Sequence, residues 1–230
     1  MLKNEYETNI MTKSIVLLHS LANVIPIAKQ AFQEEAGNLE IMNVVDETVW
    51  YELQRSGTIS TLVIRRVCLY ATLAEQANAC GVLTTCSSLS PCFEVAKYCV
   101  NIPLIRLDNP VVKQAIEIGK RIGLVATAQT TVQPYLEQVD QIARHSNKII
   151  TPVSIFCDGA LSALKEDNVK KHDEIVITNI HNKLIRQPVD VLILCQVSLH
   201  HMIDQLTGIT EIPILSALSS AIQETRERVE

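Results

Sequence analysis

The sequence predicts an α/β fold with two pseudo-symmetric lobes, each built from a parallel sheet flanked by helices. Three observations indicate this class. Short apolar runs alternate with amphipathic stretches along the whole chain, as they do in successive strand–helix units. Some runs, such as Val191-Leu-Ile-Leu194, are apolar at every position, which is typical of strands buried on both faces. The second half of the chain also resembles a loose copy of the first half.

The individual elements follow from this alternation. In the first half we expect strand 14–18, helix 24–35, strand 39–45, helix 61–79, strand 82–85 and strand 104–107. Asn109-Pro110 then opens a helix to about Gly119, since proline is favoured at the first helical position. The second half predicts strand 121–127, helix 131–146, strand 149–154, helices from 157 to about 186, strand 189–194, helix 198–206, strand 213–215 and helix 219–230.

The internal repeat fixes how the two halves correspond. Ile102-Pro-Leu-Ile105 parallels Ile212-Pro-Ile-Leu215, and this pair of segments defines the offset between the halves. The same offset carries Cys86 to Gln196 and not to Cys195, which lies immediately before it. We therefore predict two lobes, with residues 1–108 and 215–230 in the first and residues 109–214 in the second.

Polar turns follow the strands at the point where a parallel sheet binds its ligands. In open sheets of this kind, ligands lie outside the carboxyl ends of the strands. Each turn also precedes a helix, whose free N–H groups favour an anion such as a carboxylate. We therefore expect the site in the crevice between the lobes, formed by residues 19–23, 86–88, 127–131 and 195–198.

Composition excludes several classes of function. The chain has 230 residues, a formal net charge of −5 and no basic block, so a nucleic-acid partner is not expected. No apolar run reaches the roughly 18–20 residues of a membrane span. Residues 1–10 are polar, so we expect them to extend from the folded part of the chain. They lack the apolar core of a signal peptide, so we expect a cytoplasmic protein.

The seven cysteines are not spaced as a zinc site or a disulfide framework. Most are expected to be small buried side chains. Cys86 differs, because it stands among threonine and serine at a strand end. His200 and His201 are neighbours on a predicted helix and point in different directions, so they do not form a metal pair. We expect neither a metal nor a cofactor.

Three segments together carry a resemblance to the aspartate/glutamate/hydantoin racemase superfamily. They are Val82-Leu-Thr-Thr-Cys-Ser-Ser88, then 102–108 running into 121–131, then Asp190-Val-Leu-Ile-Leu-Cys-Gln196. The resemblance covers nearly the whole chain from Met11. It implies a site between two α/β lobes, cofactor-independent proton transfer next to a carboxylate or carbonyl, a small carboxylate or amino-acid-derived substrate, and a homodimer.

The resemblance also implies roles for particular residues. In the family, a cysteine from each lobe acts as acid or base on one face of the substrate, and a thiolate is a capable base. Cys86 matches the cysteine of the first lobe. The residues expected to bind the substrate are His19, Ser87, Ser88, Thr127, Thr130, Thr131 and Gln196.

The second lobe departs from the family pattern. The second cysteine is expected six residues after the aspartate that starts the strand, and six residues after Asp190 stands Gln196. An amide is not a general base, so Cys195 could act as the second acid or base only if the turn shifted by one residue.

Three hypotheses about function follow. The first is a racemase or isomerase that uses Cys86 together with Cys195, a water molecule or His19. The second is a one-thiol enzyme such as a malonate-type decarboxylase, and the third is an inactive binder of small carboxylates.

Overall fold

The computed structural model describes residues 13–229, so the extension expected at residues 1–10 lies outside the described part. The strands are β1 Ser14–His19, β2 Glu40–Val45, β3 Gly81–Thr84, β4 Leu104–Ile105, β5 Arg121–Ala126, β6 Thr151–Phe156, β7 Val191–Leu194 and β8 Ile214–Ser216. The first sheet has the order β2-β1-β3-β4, and all its strands are parallel. The second sheet has the equivalent order β6-β5-β7-β8 and is also parallel.

Helices connect the strands in both lobes. They are α1 Ile25–Glu35, α2 Glu47–Ser56, α3 Thr61–Gln76, α4 Phe93–Ala96, α5 Asn109–Ile118, α6 Gln129–His145, α7 Ala160–Lys165, α8 Val169–Arg186, α9 Ile203–Thr207 and α10 Ala217–Val229. Three 3-10 helices follow strand ends, at Ala22–Val24, Ser87–Cys92 and Val197–Met202. Among residues 13–229, no helix is long and apolar enough to cross a membrane.

The two lobes repeat one another at the offset that the sequence predicts. The offset that relates Ile102 to Ile212 also relates both ends of β3 to those of β7, and it relates the 3-10 helices that follow these strands. Each of these strands pairs in parallel with the first strand of its own lobe. Cys86 and Gln196 therefore occupy the same position, directly before a 3-10 helix, in the two lobes.

The division of the chain between the lobes stays a prediction, with one adjustment. Leu194 pairs with Ser216, so the second sheet continues two residues past the expected boundary at residue 214. Helix α10 then packs against α1 and β3 in the first lobe and against α5. Its last turn is also held by Lys13, whose Nζ donates to the carbonyl oxygen of Val229 at 2.6 Å.

The core is organised by the alternation of side chains along buried strands. Ile15 and Leu17 of β1 and Ile122 and Leu124 of β5 belong to one cluster, which joins the facing sides of the lobes. The intervening residues pack on the outer faces in a separate cluster for each lobe. A shared central core fixes the lobes against each other and brings their strand ends to one crevice.

Two predicted helices differ from those observed, and the predicted ranges include no helix at α2 or α4. The helix expected at 198–206 is a 3-10 helix followed by the short α9, and α3 ends at Gln76, before Asn78 turns to a positive φ of 60°. Helix α2 was assigned no element in the sequence. It begins at Glu47 because the Asp46 carboxylate accepts a hydrogen bond from the Thr48 N–H at 3.1 Å.

Asp46 anchors α2 to α3 as well as capping it. Its second oxygen accepts a hydrogen bond from the Tyr70 hydroxyl at 2.6 Å and pairs with Arg66 at 2.7 Å. Burial opposes ionisation, but these partners, together with Thr48, hold the pKa of Asp46 below its ordinary value. This network matters for the site, because α2 carries Trp50.

Replacing Asp46 with alanine is expected to lower the free energy of unfolding by about 1–2 kcal/mol at neutral pH. A carboxyl whose pKa is depressed in the folded chain stabilises it above the unfolded pKa, about 3.9, and stops doing so as pH falls through the folded pKa. Urea unfolding of both proteins at neutral pH and at about pH 3 tests this. A difference that stays constant with pH would contradict the assigned ion pair and hydrogen bonds.

Candidate active site

A cavity of about 50 Å³ lies between the lobes, at the carboxyl ends of the central strands. Its walls come from the turns after β1, β3, β5 and β7, which are the four turns that the sequence predicts. A water molecule requires about 10–15 Å³ measured in this way, so the cavity holds several waters or a compact ligand.

Cys86 stands at the cavity wall, where the backbone turns from β3 into the 3-10 helix. Thr84 holds this turn from both sides. Its hydroxyl accepts from the Cys86 N–H and donates to the Cys86 carbonyl oxygen, each at 3.2 Å. The Leu89 N–H donates to the same carbonyl at 2.9 Å. These contacts fix the position from which the thiol meets the cavity.

Burial raises the pKa of the Cys86 thiol above the ordinary range of a cysteine. Hydrogen bonding from Ser20, and from the N–H groups of Leu89 and Ser88, acts in the opposite direction and offsets burial only in part. The resting site therefore carries a protonated thiol, with donors already arranged around the sulfur for the thiolate.

The serines after Cys86 join the two lobes through threonines of the second lobe. Ser87 Oγ lies 3.0 Å from Thr131 Oγ1, and Ser88 Oγ donates to Thr130 Oγ1 at 3.0 Å. The structure thus brings together four residues that the sequence singles out for substrate binding. Here their hydroxyls contact each other across the crevice, so a substrate would compete with these contacts or lie beside them.

Gln196 occupies the position opposite Cys86 and makes its contacts through its carbonyl oxygen. Oε1 accepts from the Thr127 N–H at 2.6 Å, from the Thr127 hydroxyl at 3.1 Å and from the Ala128 N–H at 3.3 Å. These N–H groups lie at the start of α6, where a carboxylate oxygen would be favoured. The Gln196 amide therefore fills part of the anion cradle that the sequence predicts, at the wall of the cavity.

Cys195 does not reach the cavity. It is fully buried, and its thiol donates to the Ile193 carbonyl oxygen at 3.5 Å. Burial raises its pKa well above the ordinary range. Since side chains alternate along an extended chain, presenting Gln196 to the cavity directs Cys195 into the central core. The geometry therefore leaves Cys195 no access to a substrate.

His19 also lies away from the cavity wall. It is fully buried, with Nε2 at 2.9 Å from Asn43 Oδ1 and Nδ1 at 2.7 Å from Thr85 Oγ1. Burial lowers its pKa, and the contact with Asn43 opposes this only partly, so the imidazole is neutral. The structure places His19 behind Thr85, where it can orient that hydroxyl.

The sequence reasoning missed an apolar wall opposite the polar turns. Trp50 from α2 and Leu161 and Leu164 from α7 line this side of the cavity. Lys165 Nζ lies 4.8 Å from the centre of the Trp50 ring, which is a cation–π contact between the lobes. The i, i+3 spacing of the two leucines indicates an apolar helix face, but only the fold shows that this face of α7 lies near Trp50.

The cavity therefore offers few side chains that could take part in catalysis. Among the described residues that line it, Cys86 is the only one with an ionisable side chain, and none is a histidine or a carboxylate suited to hold a metal. The remaining polar groups are hydroxyls, amides and backbone N–H groups. Such a site can move one proton at a carbon whose neighbouring carboxylate or carbonyl is held by these donors.

Comparisons with known proteins agree with this fold. Among solved structures, the chain is similar to allantoin racemase from Klebsiella pneumoniae, with a TM-score of 0.73 and 15% identity, over 94% of this chain and 86% of that one. Glutamate racemase from Bacillus anthracis gives a TM-score of 0.70 and 16% identity, over 94% and 80%. An aspartate racemase homologue from Pyrococcus horikoshii gives 0.69 and 14%, over 94% and 98%.

At these identities the structural likeness establishes the fold alone. Comparison with curated proteins found no match. A family model described as Asp/Glu/Hydantoin racemase matches residues 22–225, which is most of the chain and includes the turns after β3, β5 and β7 that line the cavity. The chain therefore belongs to the Asp/Glu/Hydantoin racemase family and is an enzyme of the racemase or isomerase type.

Proposed function

We propose that this enzyme transfers a proton at the carbon next to a carboxylate or carbonyl, with Cys86 as the single side chain that acts as acid and base. The observation that carries the proposal is the contrast between equivalent positions, a thiol at Cys86 and a hydrogen-bonded amide at Gln196. The Cys86 thiolate would remove the α-proton, and its electron pair would pass into the carboxylate or carbonyl. The proton returns mainly from the same sulfur, after the thiol has exchanged with solvent, and only slowly from water on the opposite face.

The lining of the cavity supports a substrate with one acidic group. No lysine or arginine is among the described residues that line it, so a second carboxylate would lack a counter-ion. The apolar wall of Trp50, Leu161 and Leu164 favours an aliphatic or ring substituent. We therefore propose small 2-substituted acids or hydantoin-like rings as the substrate class.

Exchange of α-protons in D₂O tests the proposal across a range of candidate substrates. The panel contains both enantiomers of small apolar amino acids, 5-substituted hydantoins, aspartate and glutamate, and loss of the α-proton signal is followed by NMR. We expect exchange with an apolar acid or a hydantoin, no exchange with aspartate or glutamate, and none in Cys86→Ala. Exchange that persists in Cys86→Ala would contradict the assignment.

A second candidate function is decarboxylation of a malonate-type acid, and the raised pKa of Cys86 favours it. The carboxylate that departs as CO₂ needs no counter-ion in the product, because its electron pair passes into the retained carboxylate. The resulting enediolate needs only a proton donor, which the resting thiol supplies. The pH profile separates the candidates. Proton removal requires the thiolate, so its rate should rise with pH beyond neutrality, whereas decarboxylation should be flat and then fall as the thiol ionises. CO₂ release with the second profile would favour the decarboxylase.

Replacing Gln196 with glutamate is expected to raise KM for an anionic substrate at least tenfold. The new carboxylate can accept the same hydrogen bonds at the start of α6 and adds about 0.3–1 kcal/mol there, so the fold should be retained. It also places a negative charge in the cavity, which repels a substrate carboxylate. Kinetics and thermal unfolding of both proteins test this, and an unchanged KM would place the substrate away from Gln196.

The homodimer implied by the resemblance stays a prediction, and light scattering of the protein in solution tests it.

A further inference from the structure

A cluster of metal-ligating side chains lies outside the cavity, in the second lobe. His172 and Asp173 are in the first turn and a half of α8, and His201 is in the 3-10 helix that follows Gln196. Asp173 Oδ1 lies 2.7 Å from His172 Nδ1 and 2.9 Å from His201 Nε2. One ligand atom from each of the three residues lies within 4.8 Å of the other two.

We propose that His172, Asp173 and His201 bind a divalent transition-metal ion of the zinc type. Two imidazoles and one carboxylate are ligands that zinc accepts, and imidazole disfavours calcium and magnesium. With metal–ligand bonds of about 2.0–2.2 Å, tetrahedral ligands stand about 3.4 Å apart. The present separations of 2.7 and 2.9 Å would therefore need to widen by roughly half an ångström.

The surroundings of the cluster suit a metal with one open position. His172 is fully buried, which fixes its ring, whereas His201 is about one-third exposed and gives solvent access. Nε2 of His172 has no hydrogen-bond partner among the described residues, so binding a metal through Nδ1 leaves a buried N–H unpaired, a cost of about 1–3 kcal/mol that the metal bond must offset. Three protein ligands leave a fourth position for water.

Adjacent histidines do not form the site, in agreement with the sequence expectation about His200 and His201. His200 turns to Ser216, with Nδ1 at 2.9 Å from its hydroxyl. His201 instead meets His172, whose ring centre lies 5.7 Å from its own. The expected absence of any metal considered the cysteine spacings and this adjacent pair, but not histidines from separate helices. A bound ion would tie α8 to the turn that carries Gln196.

Zinc titration of the chelator-treated, full-length protein tests the proposal. Calorimetry should show one equivalent of Zn²⁺ bound. His201→Ala and Asp173→Asn are expected to lower the affinity at least tenfold. Both sites are partly exposed, so these variants avoid the disturbance that replacing buried His172 would cause.

His145→Gln provides the matched control, because that exposed histidine contacts only the Gln141 carbonyl oxygen of its own helix. It should bind zinc as the unmodified protein does. Thermal unfolding gives a second readout, in which zinc should raise Tm of the unmodified protein but not of His201→Ala. Substoichiometric binding, or equal binding by His201→Ala, would show a hydrogen-bonded His–Asp–His cluster only and overturn the proposal.

Discussion

Replacing Cys86 with alanine is expected to reduce the rate of α-proton exchange at least about 10³-fold. Proton transfer by a positioned group contributes roughly 10²–10⁴-fold, and no other ionisable group lines the described cavity. Cys86→Ser should lose activity to a similar extent, because a serine hydroxyl has nearly the same size but does not ionise in the required range. The measurement is the initial rate of exchange in D₂O under saturating substrate.

Cys195→Ala is the matched control for this prediction. Cys195 is a thiol directly before the position equivalent to Cys86, yet it lies in the core with its Sγ on the Ile193 carbonyl. We expect its exchange rate to stay within about twofold of the unmodified protein, with a modest loss of stability from the small cavity created. Equal losses of activity in the two variants would contradict the proposed single thiol.

Replacing Asp108 with alanine is expected to lower the free energy of unfolding by about 3–5 kcal/mol. Asp108 is fully buried, and its two oxygens accept from Arg106 Nε at 2.9 Å and Nη2 at 2.7 Å. Without the carboxylate, Arg106 keeps its buried charge and loses both of these partners. This pair lies between β4 and α5, close to the central core, so its loss should also loosen the junction of the lobes.

Glu94→Ala supplies the comparison within the same network. Glu94 Oε1 accepts from the third donor, Arg106 Nη1, at 2.9 Å, but about half of the Glu94 side chain is exposed. A solvent-exposed partner contributes at most about 1 kcal/mol. Urea unfolding at neutral pH measures both variants. The account would be contradicted if the two substitutions lowered the free energy of unfolding by similar amounts. It would also be contradicted if Asp108→Ala lowered it by no more than about 1 kcal/mol, as expected for an exposed pair.

The sequence predicted the parts of this fold that depend on local patterns. The alternation of apolar runs predicted eight strands, and the offset between the two Ile-Pro segments placed Gln196 opposite Cys86. Both follow from signals carried by a few adjacent residues. Helix α2 was missed although Asp46 is recognisable as a cap, because its N-terminal half holds the β-branched and aromatic residues Thr48-Val-Trp-Tyr51, which do not favour a helix.

The parts that the sequence did not predict arise from docking of distant segments. Ser88 meets Thr130 only because the lobes face each other, and Trp50 reaches the cavity because α2 approaches α7. His172 and His201 belong to different helices, on either side of β7, and meet through the packing of α8 on its lobe. The spacing of residues within one helix or strand does not predict such contacts. Sites formed by side chains from several elements could therefore be identified only from the structure.

The position of deuterium at early conversion tests the single-thiol account most directly. A single enantiomer of an acid that exchanges is incubated in D₂O, and the two enantiomers are separated and analysed for deuterium by mass spectrometry while most of the substrate is still unreacted. One thiol on one face predicts that deuterium appears in the starting enantiomer, because Cys86 returns a solvent-derived proton to the face it deprotonated. Deuterium confined to the product enantiomer would mean that a donor on the face opposite Cys86 delivers the proton faster than Cys86 returns it, and would contradict the account.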